Sequence, residues 1–597
     1  MRSTRLDLAV SGLVAFVVLG PLLVGPGYWL FGDMVFVPRQ PWKDAWLGLD
    51  GSLPRAVPMD AIVSVLTHLV PGSWVQKTFL VTAFVLGGLG AARLVRPYAG
   101  LAAARAAATV LYLWNPWVHE RLLLGQWAIL AGYLALPWVA LAARRLRRDL
   151  RAGWAPAAVA LAVSAVCSPS SGVMAVVVLV VLGVRWRDPR SWAVVVALGV
   201  VANLTWLLPS LTADAAAVTT DGVFDLFAAR AESAAGVLAS LLSLGGTWKT
   251  SILAPERTSA VVVLLSCLLA AAALAGLRRA LRRGSDPSEV RRLLALAGVA
   301  LVVAALPTSL TGGAGAALLE QVGDRVPAAA LLRDSQRFLA PAALALAVGL
   351  AAAVTWVREQ VAPGREAWWA VVGLAVVAPV VLLPSLAWGG GELARSSYPR
   401  DWAAVADLVG DPTGPGDAAT VVLPWQGSYR RFAFNDGRAV LDPAPRLLPG
   451  EVLVDDRTLV DGREVPSEDP RVTAVTGALA AGSPTEVSSA LRDLGVRWVL
   501  VEPGADRAAA ALPAGGTAYD GDTLLLLDLA APATGSKDPA QVRTDGPSSH
   551  DDHAGLVIVG HGCVFVLLLC GLMRILHSGV TTITSSRRWP LKSLGGD

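Results

Sequence analysis

Residues 8–33 read LAVSGLVAFVVLGPLLVGPGYWLFGD, an apolar run that ends at residue 30 and is followed by the carboxylate of Asp33. A helix of about 20 apolar residues is long enough to cross the hydrocarbon core of a bilayer. No A-x-A-like cleavage site ends the run and more apolar runs follow it, which favours a retained helix over a removed signal peptide. The stretch therefore predicts a membrane span with an acidic residue just beyond its end.

The rest of the chain repeats this pattern. Of its 597 residues, 54% are hydrophobic and 16% are charged, and the mean hydropathy is +0.55. A soluble domain has about 25% charged residues, so a soluble enzyme, a disulfide-rich secreted module and a disordered chain are excluded. The basic residues form no contiguous face, so nucleic-acid binding is not expected. We expect about twelve spans, because further apolar runs cover residues 75–92, 99–114, 127–143, 154–169, 171–184, 191–211, 259–277, 293–308, 339–357, 367–386 and 555–573.

The basic residues indicate the orientation of these spans. Arg2 and Arg5 precede the first run, and arginines follow the second, fourth, sixth, eighth, tenth and last runs. Because cytoplasmic loops are enriched in Lys and Arg, both termini are predicted to be cytoplasmic in a multi-pass protein of the inner (plasma) membrane. The alternate loops are long and therefore exoplasmic, and function is often built into long loops on a rigid scaffold. These loops cover residues 32–60, 115–126, 212–258, 309–338 and 387–554.

The predicted fold is an α-helical polytopic membrane protein with an exoplasmic α/β domain. We divide the chain into a membrane domain of about eleven spans (1–386), an α/β domain (387–530), a polar linker (531–554) and a final span with a cytoplasmic tail (555–597).

Short alternating and apolar segments predict the α/β domain. Helical spacing is present at 400–410 and 486–494, and short buried strands are predicted at 419–424 and 496–501. The segment YDGDTLLLLDL at 519–529 predicts a tight Asp-Gly turn that leads into another strand.

The first exoplasmic loop contains the first candidate for chemistry. A carboxylate held at a helix end and partly desolvated, as Asp33 is predicted to be, can act as a general base. The alternative is an interfacial aspartate without a task. Asp44, Asp50 and Asp60 are weaker candidates for the same role, and we assign Asp60 and Arg39 to an acceptor cavity.

A second candidate is the sequence His119-Glu120-Arg121 in the next exoplasmic loop. Ionisable groups close to membrane spans usually face a polar cavity and pair with something. The cluster predicts hydrogen bonds to an acceptor sugar, and structural pairing is an equal alternative. A lone His-Glu pair is too little to assign a metal site.

Arg333 and Arg337 lie on the exoplasmic side against the charge bias that sets the topology. The planar guanidinium group binds phosphate through several donors, so the pair predicts a site for a lipid phosphate. The alternative is a salt bridge to Asp334. Lys249, with Arg230 and Arg257, is predicted to add to this basic site.

Several absences narrow the function. The sequence has no Walker A motif, GxGxxG fingerprint or GxSxG elbow in a suitable context. A transporter usually has ionisable residues near the middle of its spans, whereas here Arg105 and His561 are the main exceptions in otherwise uncharged spans. These features favour chemistry at the exoplasmic interface.

The segments Phe31-Gly32-Asp33 and Arg333-Asp334-Ser-Gln-Arg337-Phe338, with the span count and the long outer loops, resemble the GT-C superfamily of integral-membrane glycosyltransferases. Residues 1–386 are most similar to the actinobacterial cell-wall arabinofuranosyltransferases, although the carbohydrate-binding modules of those enzymes are not obviously matched.

The resemblance implies transfer of a pentose or hexose from a polyprenyl-phosphate donor to a cell-envelope glycan or glycolipid acceptor, with inversion. It implies that Asp33 is the general base and that Arg333 and Arg337 hold the donor phosphate. No obligatory cofactor is expected; a divalent metal is possible in this superfamily but not favoured. The alternative function is a non-enzymatic flippase for lipid or polysaccharide, or an envelope-assembly factor.

The aromatic residues of the insertion have two interpretations. They suit stacking on the sugar rings of an acceptor, and they suit a small hydrophobic core equally well, the second being favoured for Trp402. They are Tyr398, Trp402, Trp425, Tyr429 and Phe432.

Overall fold

The computed structural model describes residues 2–586 except 215, 216, 218, 220, 221, 283–285, 361–365, 411–417, 461, 504–511 and 531–550. The predicted linker as far as residue 550 and the tail after residue 586 lie outside the described residues.

Helices dominate the described part of the chain. They are α1 (Arg2–Leu23), α2 (Met59–Leu69), α3 (Gly72–Val95), α4 (Ala102–Leu113), α5 (Pro116–Leu123), α6 (Trp127–Arg148), α7 (Leu150–Cys167), α8 (Pro169–Gly183), α9 (Pro189–Thr212), α10 (Val223–Leu226), α11 (Gly236–Leu242), α12 (Ala260–Arg282), α13 (Pro287–Ala305), α14 (Ala314–Gly323), α15 (Ala342–Gln360), α16 (Glu366–Val381), α17 (Arg400–Val409), α18 (Ala444–Leu447), α19 (Pro470–Leu479), α20 (Pro484–Asp493) and α21 (Asp551–Ser586).

Within the described ranges, eight helices are long and apolar enough to cross a membrane, and a bent helix pair at 368–391 would make a ninth. The eight lie in α1, α3, α6, α7, α9, α12, α15 and α21. The apolar runs at 99–114 and 171–184 form the helices α4 and α8, which have only 12 and 15 residues. The chain is thus a multi-pass membrane protein, and the expected count of about twelve spans is not confirmed.

Local signals start several of these helices. At α5, Pro116 occupies the first helical position, and the Asn115 side chain accepts a hydrogen bond of 3.1 Å from the Val118 amide. This side chain satisfies an amide at the helix start that would otherwise have no partner. Ser168-Pro169 and Asp188-Pro189 start α8 and α9 in the same way.

Small residues allow close helix crossings. A side chain added at Gly276 in α12 would overlap the Gly349 carbonyl of α15, and one added at Gly349 would overlap the Ala273 carbonyl. Contact between helix backbones is typical of membrane proteins, where small residues form the helix interfaces.

The two ionisable exceptions in the spans both have partners. Arg105 Nε donates to Asp7 Oδ1 at 3.0 Å, and both side chains are buried. His561 Nε2 lies 3.0 Å from the Leu47 carbonyl oxygen, which ties α21 to the first long loop. Neither residue is therefore a lone charge in lipid.

The strands concentrate in the 387–530 insertion. They are β1 (Tyr28–Trp29), β2 (Arg395–Ser396), β3 (Ala419–Leu423), β4 (Tyr429–Arg431), β5 (Ala439–Leu441), β6 (Val452–Leu453), β7 (Thr458–Val460), β8 (Arg463–Val465), β9 (Val496–Val501), β10 (Gly516–Asp520) and β11 (Leu525–Asp528). A five-stranded sheet has the order β10-β11-β9-β3-β6. Strand β3 is parallel to both of its neighbours, β6 and β9, and strand β11 is antiparallel to both of its neighbours, β9 and β10.

The predicted elements of the insertion agree with the structure. The helices expected at 400–410 and 486–494 are α17 and α20, and the strands expected at 419–424 and 496–501 are β3 and β9. The Asp520-Gly521 turn joins β10 to β11 as expected. Trp402 and Phe432 are each only 1% exposed, so the core interpretation holds for these two aromatic residues.

The insertion is joined to the first long loop by backbone pairing. Strand β1 pairs antiparallel with β2, so that Trp29 lies opposite Arg395. The Gly32 amide donates to the Ala439 carbonyl at 3.0 Å, and the Leu441 amide donates to the Gly32 carbonyl at 2.8 Å. These bonds hold the segment before Asp33 against β5.

Candidate active site

Asp33 lies in a tight turn of the first long loop. The Met34 amide donates to the Phe31 carbonyl at 2.9 Å, and the Asp33 amide donates to the Leu124 carbonyl at 2.9 Å, next to the turn between α5 and α6. The Asp33 side chain is half-buried. The backbone at Asp33 is thus held by its own turn and by the segment that follows α5.

Two glycines make this contact possible. Gly32 and Gly125 both have positive φ, at 54° and 75°. A side chain on Gly125 would overlap the backbone of residues 31–34, and one on Gly32 would overlap the Leu124 carbonyl. Glycine meets both requirements because it has no Cβ.

Tyr429 from the insertion contacts Asp33. The Tyr429 hydroxyl donates a short hydrogen bond to Asp33 Oδ1 across 396 positions of sequence. Burial, and next the Asp33 carboxylate, raise the pKa of Tyr429 well above 10, so the phenol remains the donor. The sequence analysis predicts either sugar stacking or a place in a small core for Tyr429, and not this contact.

Arg430 anchors the strand that carries Tyr429. Successive side chains of a strand point to opposite sides. In β4 the Arg430 side chain therefore points toward Asp442 and Glu502, while the Tyr429 side chain points toward Asp33. Arg430 Nε lies 2.8 Å from Glu502 Oε2 and 3.2 Å from Asp442 Oδ2, and both acids are fully buried. Burial, and next the neighbouring Asp442, raise the pKa of Glu502 well above its ordinary value.

Lys249 is the predicted basic residue that joins this group. Its Nζ lies 5.6 Å from the centroid of the Tyr429 ring. Burial lowers the pKa of Lys249, and the charge of Asp33 acts in the opposite direction. A carboxylate, a phenol and an ammonium group from three distant segments therefore lie together.

Arg333 is held by an acid that the sequence analysis missed. Arg333 Nη1 lies 2.8 Å from Glu468 Oε1, and Arg55 forms a second ion pair with the same carboxylate. Arg55 in turn is close enough to Tyr429 to influence its pKa. No local pattern identifies Glu468, because its partners are 413 and 135 positions away.

Arg337 belongs to a different, buried network. It pairs with Asp334 Oδ2 at 3.1 Å and donates to Ser170 Oγ at 3.0 Å. Arg121, whose side chain is fully buried, pairs with the same Asp334 oxygen at 2.7 Å. The salt bridge to Asp334 considered from the sequence is thus present for Arg337, whereas Arg333 pairs with Glu468.

Glu120 extends this network. Gln336 Nε2 donates to Glu120 Oε2 at 2.6 Å. Burial, and next the nearby Glu232, raise the pKa of Glu120 well above its ordinary value. Glu232 itself pairs with the buried Arg257. Glu120 and Arg121 therefore have structural partners.

His119 is buried beside a polar contact. Its Nε2 lies 3.3 Å from Ser385 Oγ. Burial lowers the pKa of His119 to about 4, with Glu256 acting in the opposite direction. The imidazole is therefore neutral near pH 7.

We expect acid to destabilise the protein through His119. An unfolded histidine titrates near 6.5, so between pH 6.5 and 4 only the unfolded state gains the proton, and stability falls as the pH falls. Lowering the pH from 7 to 5 is expected to reduce the free energy of unfolding by about 2 kcal/mol more in the wild type than in His119→Asn. Thermal unfolding in detergent at each pH measures the difference.

The matched control for this experiment is His68→Asn, since His68 is exposed. It should show the acid sensitivity of the wild type. Equal acid sensitivity of wild type and His119→Asn would contradict the prediction.

The remaining predicted residues are Asp60 and Arg39. Asp60 is buried and pairs with Arg446 of the insertion at 3.0 Å. Asp60 and Arg446 line a cavity of about 190 Å³ together with Arg55 and Trp46. Arg39 is exposed. Within the described part of the chain, no three or more His, Cys, Asp or Glu side chains are grouped as metal ligands would be.

The chain is a multi-pass membrane protein whose fold is similar to that of solved structures of a membrane glycosyltransferase. The solved structures that it matches include the arabinofuranosyltransferase AftD from Mycobacteria, with a TM-score of 0.53 and 18% identity over 89% of this chain. A structure of a mutant AftD matches with a TM-score of 0.54 and 18% identity over 88% of this chain.

The chain matches only 40% and 41% of those two AftD chains. The archaeal oligosaccharyltransferase AglB from Archaeoglobus fulgidus aligns at 12% identity over 83% of this chain and 69% of its own, with a TM-score of 0.36 that supports no argument. No protein-family model and no curated protein matches the chain.

Proposed function

We propose that the protein is a membrane glycosyltransferase that moves a pentose or hexose, arabinofuranose being one candidate, from a polyprenyl-phosphate donor to a cell-envelope glycan or glycolipid acceptor. The reaction takes place on the exoplasmic face and inverts the anomeric centre. The observation that carries the proposal is the group formed by Asp33, Tyr429 and Lys249. The AftD-like fold supports it.

In the proposed reaction, an acceptor hydroxyl attacks the anomeric carbon of the donor sugar while Asp33 takes the hydroxyl proton. The bond between that carbon and the phosphate oxygen breaks, and its electron pair leaves with the polyprenyl phosphate. Lys249 and Arg333 are proposed to stabilise the negative charge that develops on the phosphate, because cations placed where charge develops in the transition state lower its free energy.

A transfer assay tests the proposal. The full-length protein in detergent is incubated with polyprenyl-phosphate pentoses and hexoses and an oligosaccharide acceptor, with and without EDTA. We expect a product of inverted configuration by NMR and the same rate in EDTA. A folded protein that transfers none of these sugars, or that retains the configuration, would contradict the proposal, and scrambling of the donor across liposomes without transfer would favour a flippase.

Tyr429→Phe is expected to lower kcat/KM for transfer, because the Tyr429 hydroxyl holds the Asp33 carboxylate in place. A hydrogen bond to a charged group contributes about 1.5–3 kcal/mol, so its loss should lower kcat/KM by about 10–100-fold. Initial rates of transfer at low donor concentration measure the change.

Tyr519→Phe is the matched control for this variant. The Tyr519 hydroxyl donates to Asp401 Oδ1 at 3.0 Å within the same insertion. This control should leave kcat/KM unchanged. A value of kcat/KM in Tyr429→Phe equal to that of the wild type would show that Tyr429 does not act on the base.

A further inference from the structure

An open cavity of about 550 Å³ lies in the membrane part of the protein, between the end of α1 and the beginning of α3. Its size is within the range of sites for small molecules. The lining is mainly apolar on the α1 side, with Leu23, Val24 and Pro26, and mixed on the α3 side, with Trp74, Lys77 and Val81 among others. Asp33 and its partners do not line it.

The apolar walls of this cavity are open to the surroundings. Val24 is 73% exposed and Trp74 is 63% exposed. Both lie at the same end of two candidate membrane spans. Tryptophan at such a position is typical of the headgroup level of a bilayer, so the cavity faces lipid rather than the protein interior.

Lys77 lines the cavity, and Arg395 lies beside it, next to the lining residue Gly25. Lys77 Nζ donates to the Gly25 carbonyl at 2.6 Å and lies 5.8 Å from the centroid of the Trp74 ring. The Arg395 guanidinium lies directly over Gly25, where a Cβ would overlap it. Among the described residues neither cation has an ion pair, whereas other arginines have one, namely Arg55, Arg333, Arg430 and Arg446.

We propose that this cavity, the α1–α3 groove, is a binding site for the phosphate headgroup of a membrane lipid, with the phosphate between Lys77 and Arg395 and a hydrocarbon chain along Leu23, Trp74 and Val81. A lipid phosphate supplies the negative charge that the two cations lack, and Arg is well suited to bind phosphate. The chain of the lipid covers the exposed apolar wall.

The site also has a route to Asp33. Arg395 belongs to β2, which pairs with Trp29 of β1, and β1 leads directly into the turn that carries Asp33. A phosphate bound to Arg395 would therefore stabilise the strand pair next to the proposed general base. The lipid site itself does not depend on the proposed transfer activity.

Photolabelling tests the site without any sugar transfer. The full-length protein in neutral detergent is labelled with phosphatidylglycerol that carries a diazirine on an acyl chain, and labelled peptides are identified by mass spectrometry. We expect labelling within residues 73–82, lowered about tenfold in Lys77→Gln/Arg395→Gln, since each cation contributes at least one charge-assisted bond. Lys77→Arg should keep the labelling.

The matched control is Arg400→Gln, because Arg400 is an exposed arginine of the same insertion away from the groove. It should label like the wild type. Equal labelling of these peptides in the double variant, with both proteins folded by size-exclusion chromatography, would overturn the proposal, as would equal labelling by a diazirine diacylglycerol that has no phosphate.

Competition distinguishes the two sources of a lipid phosphate. Displacement of the probe by undecaprenyl phosphate at lower concentration than by phosphatidylglycerol assigns the site to the polyprenyl carrier, and the reverse order assigns it to the bulk phospholipid. Either order supports a phosphate site.

Discussion

Asp33→Asn is expected to lower the rate of sugar transfer by about 10²–10⁴-fold, the usual contribution of general-base catalysis. The amide cannot take the proton of the acceptor hydroxyl, whereas it keeps the shape of the side chain and can accept the hydrogen bond from Tyr429. The loss should therefore appear in kcat, with little change in the KM for the donor. Initial rates with a polyprenyl-phosphate sugar at saturating acceptor measure both constants.

The control for this variant is Asp436→Asn. This variant makes the same chemical change at an exposed position. Asp436 has a positive φ, which asparagine tolerates. It should transfer sugar at the rate of the wild type. Transfer by Asp33→Asn within threefold of the wild type would remove Asp33 from the mechanism, whatever becomes of the transferase proposal.

Asp334→Asn is expected to destabilise the protein by about 3–5 kcal/mol, because removing one partner of a buried ion pair leaves an uncompensated charge. Asp334 is the shared partner of Arg121 and Arg337, and Arg121 is completely buried. The thermal unfolding of the detergent-purified variant should occur at a clearly lower temperature, with a lower yield of folded protein.

A double variant separates lost charge balance from lost shape. Replacing a buried pair with apolar residues is often neutral, so Arg121→Met/Asp334→Leu should recover part of the lost stability. The recovery is incomplete because Arg337 still lacks its carboxylate partner and keeps only its contact with Ser170. An unfolding temperature of Asp334→Asn equal to that of the wild type would show that this network contributes nothing to stability.

Local patterns predicted the elements of the structure well. The helices α17 and α20 and the strands β3 and β9 lie where periodicity placed them, since the spacing of apolar residues within one segment decides which element can bury them. The count of spans was less predictable. α4 and α8 are apolar but short, and whether a short helix crosses a membrane depends on the helices around it.

The structure brings two of the predicted site residues together, since Asp33 and Lys249 both lie beside Tyr429. The sequence analysis groups Arg333 and Arg337 because both run against the charge bias of the exoplasmic side. The structure directs one to Glu468 and the other to Asp334, since each guanidinium pairs with the carboxylate that the neighbouring segments supply.

Hydrophobic length and residue order are local properties, so they are enough to predict a membrane protein, long loops that carry the polar groups, and an acid after the first span. Which side chains contact that acid depends on how distant segments pack. Tyr429 reaches Asp33 through the pairing of residues 28–32 with β2 and β5, and such long-range backbone contacts leave no pattern in either segment alone.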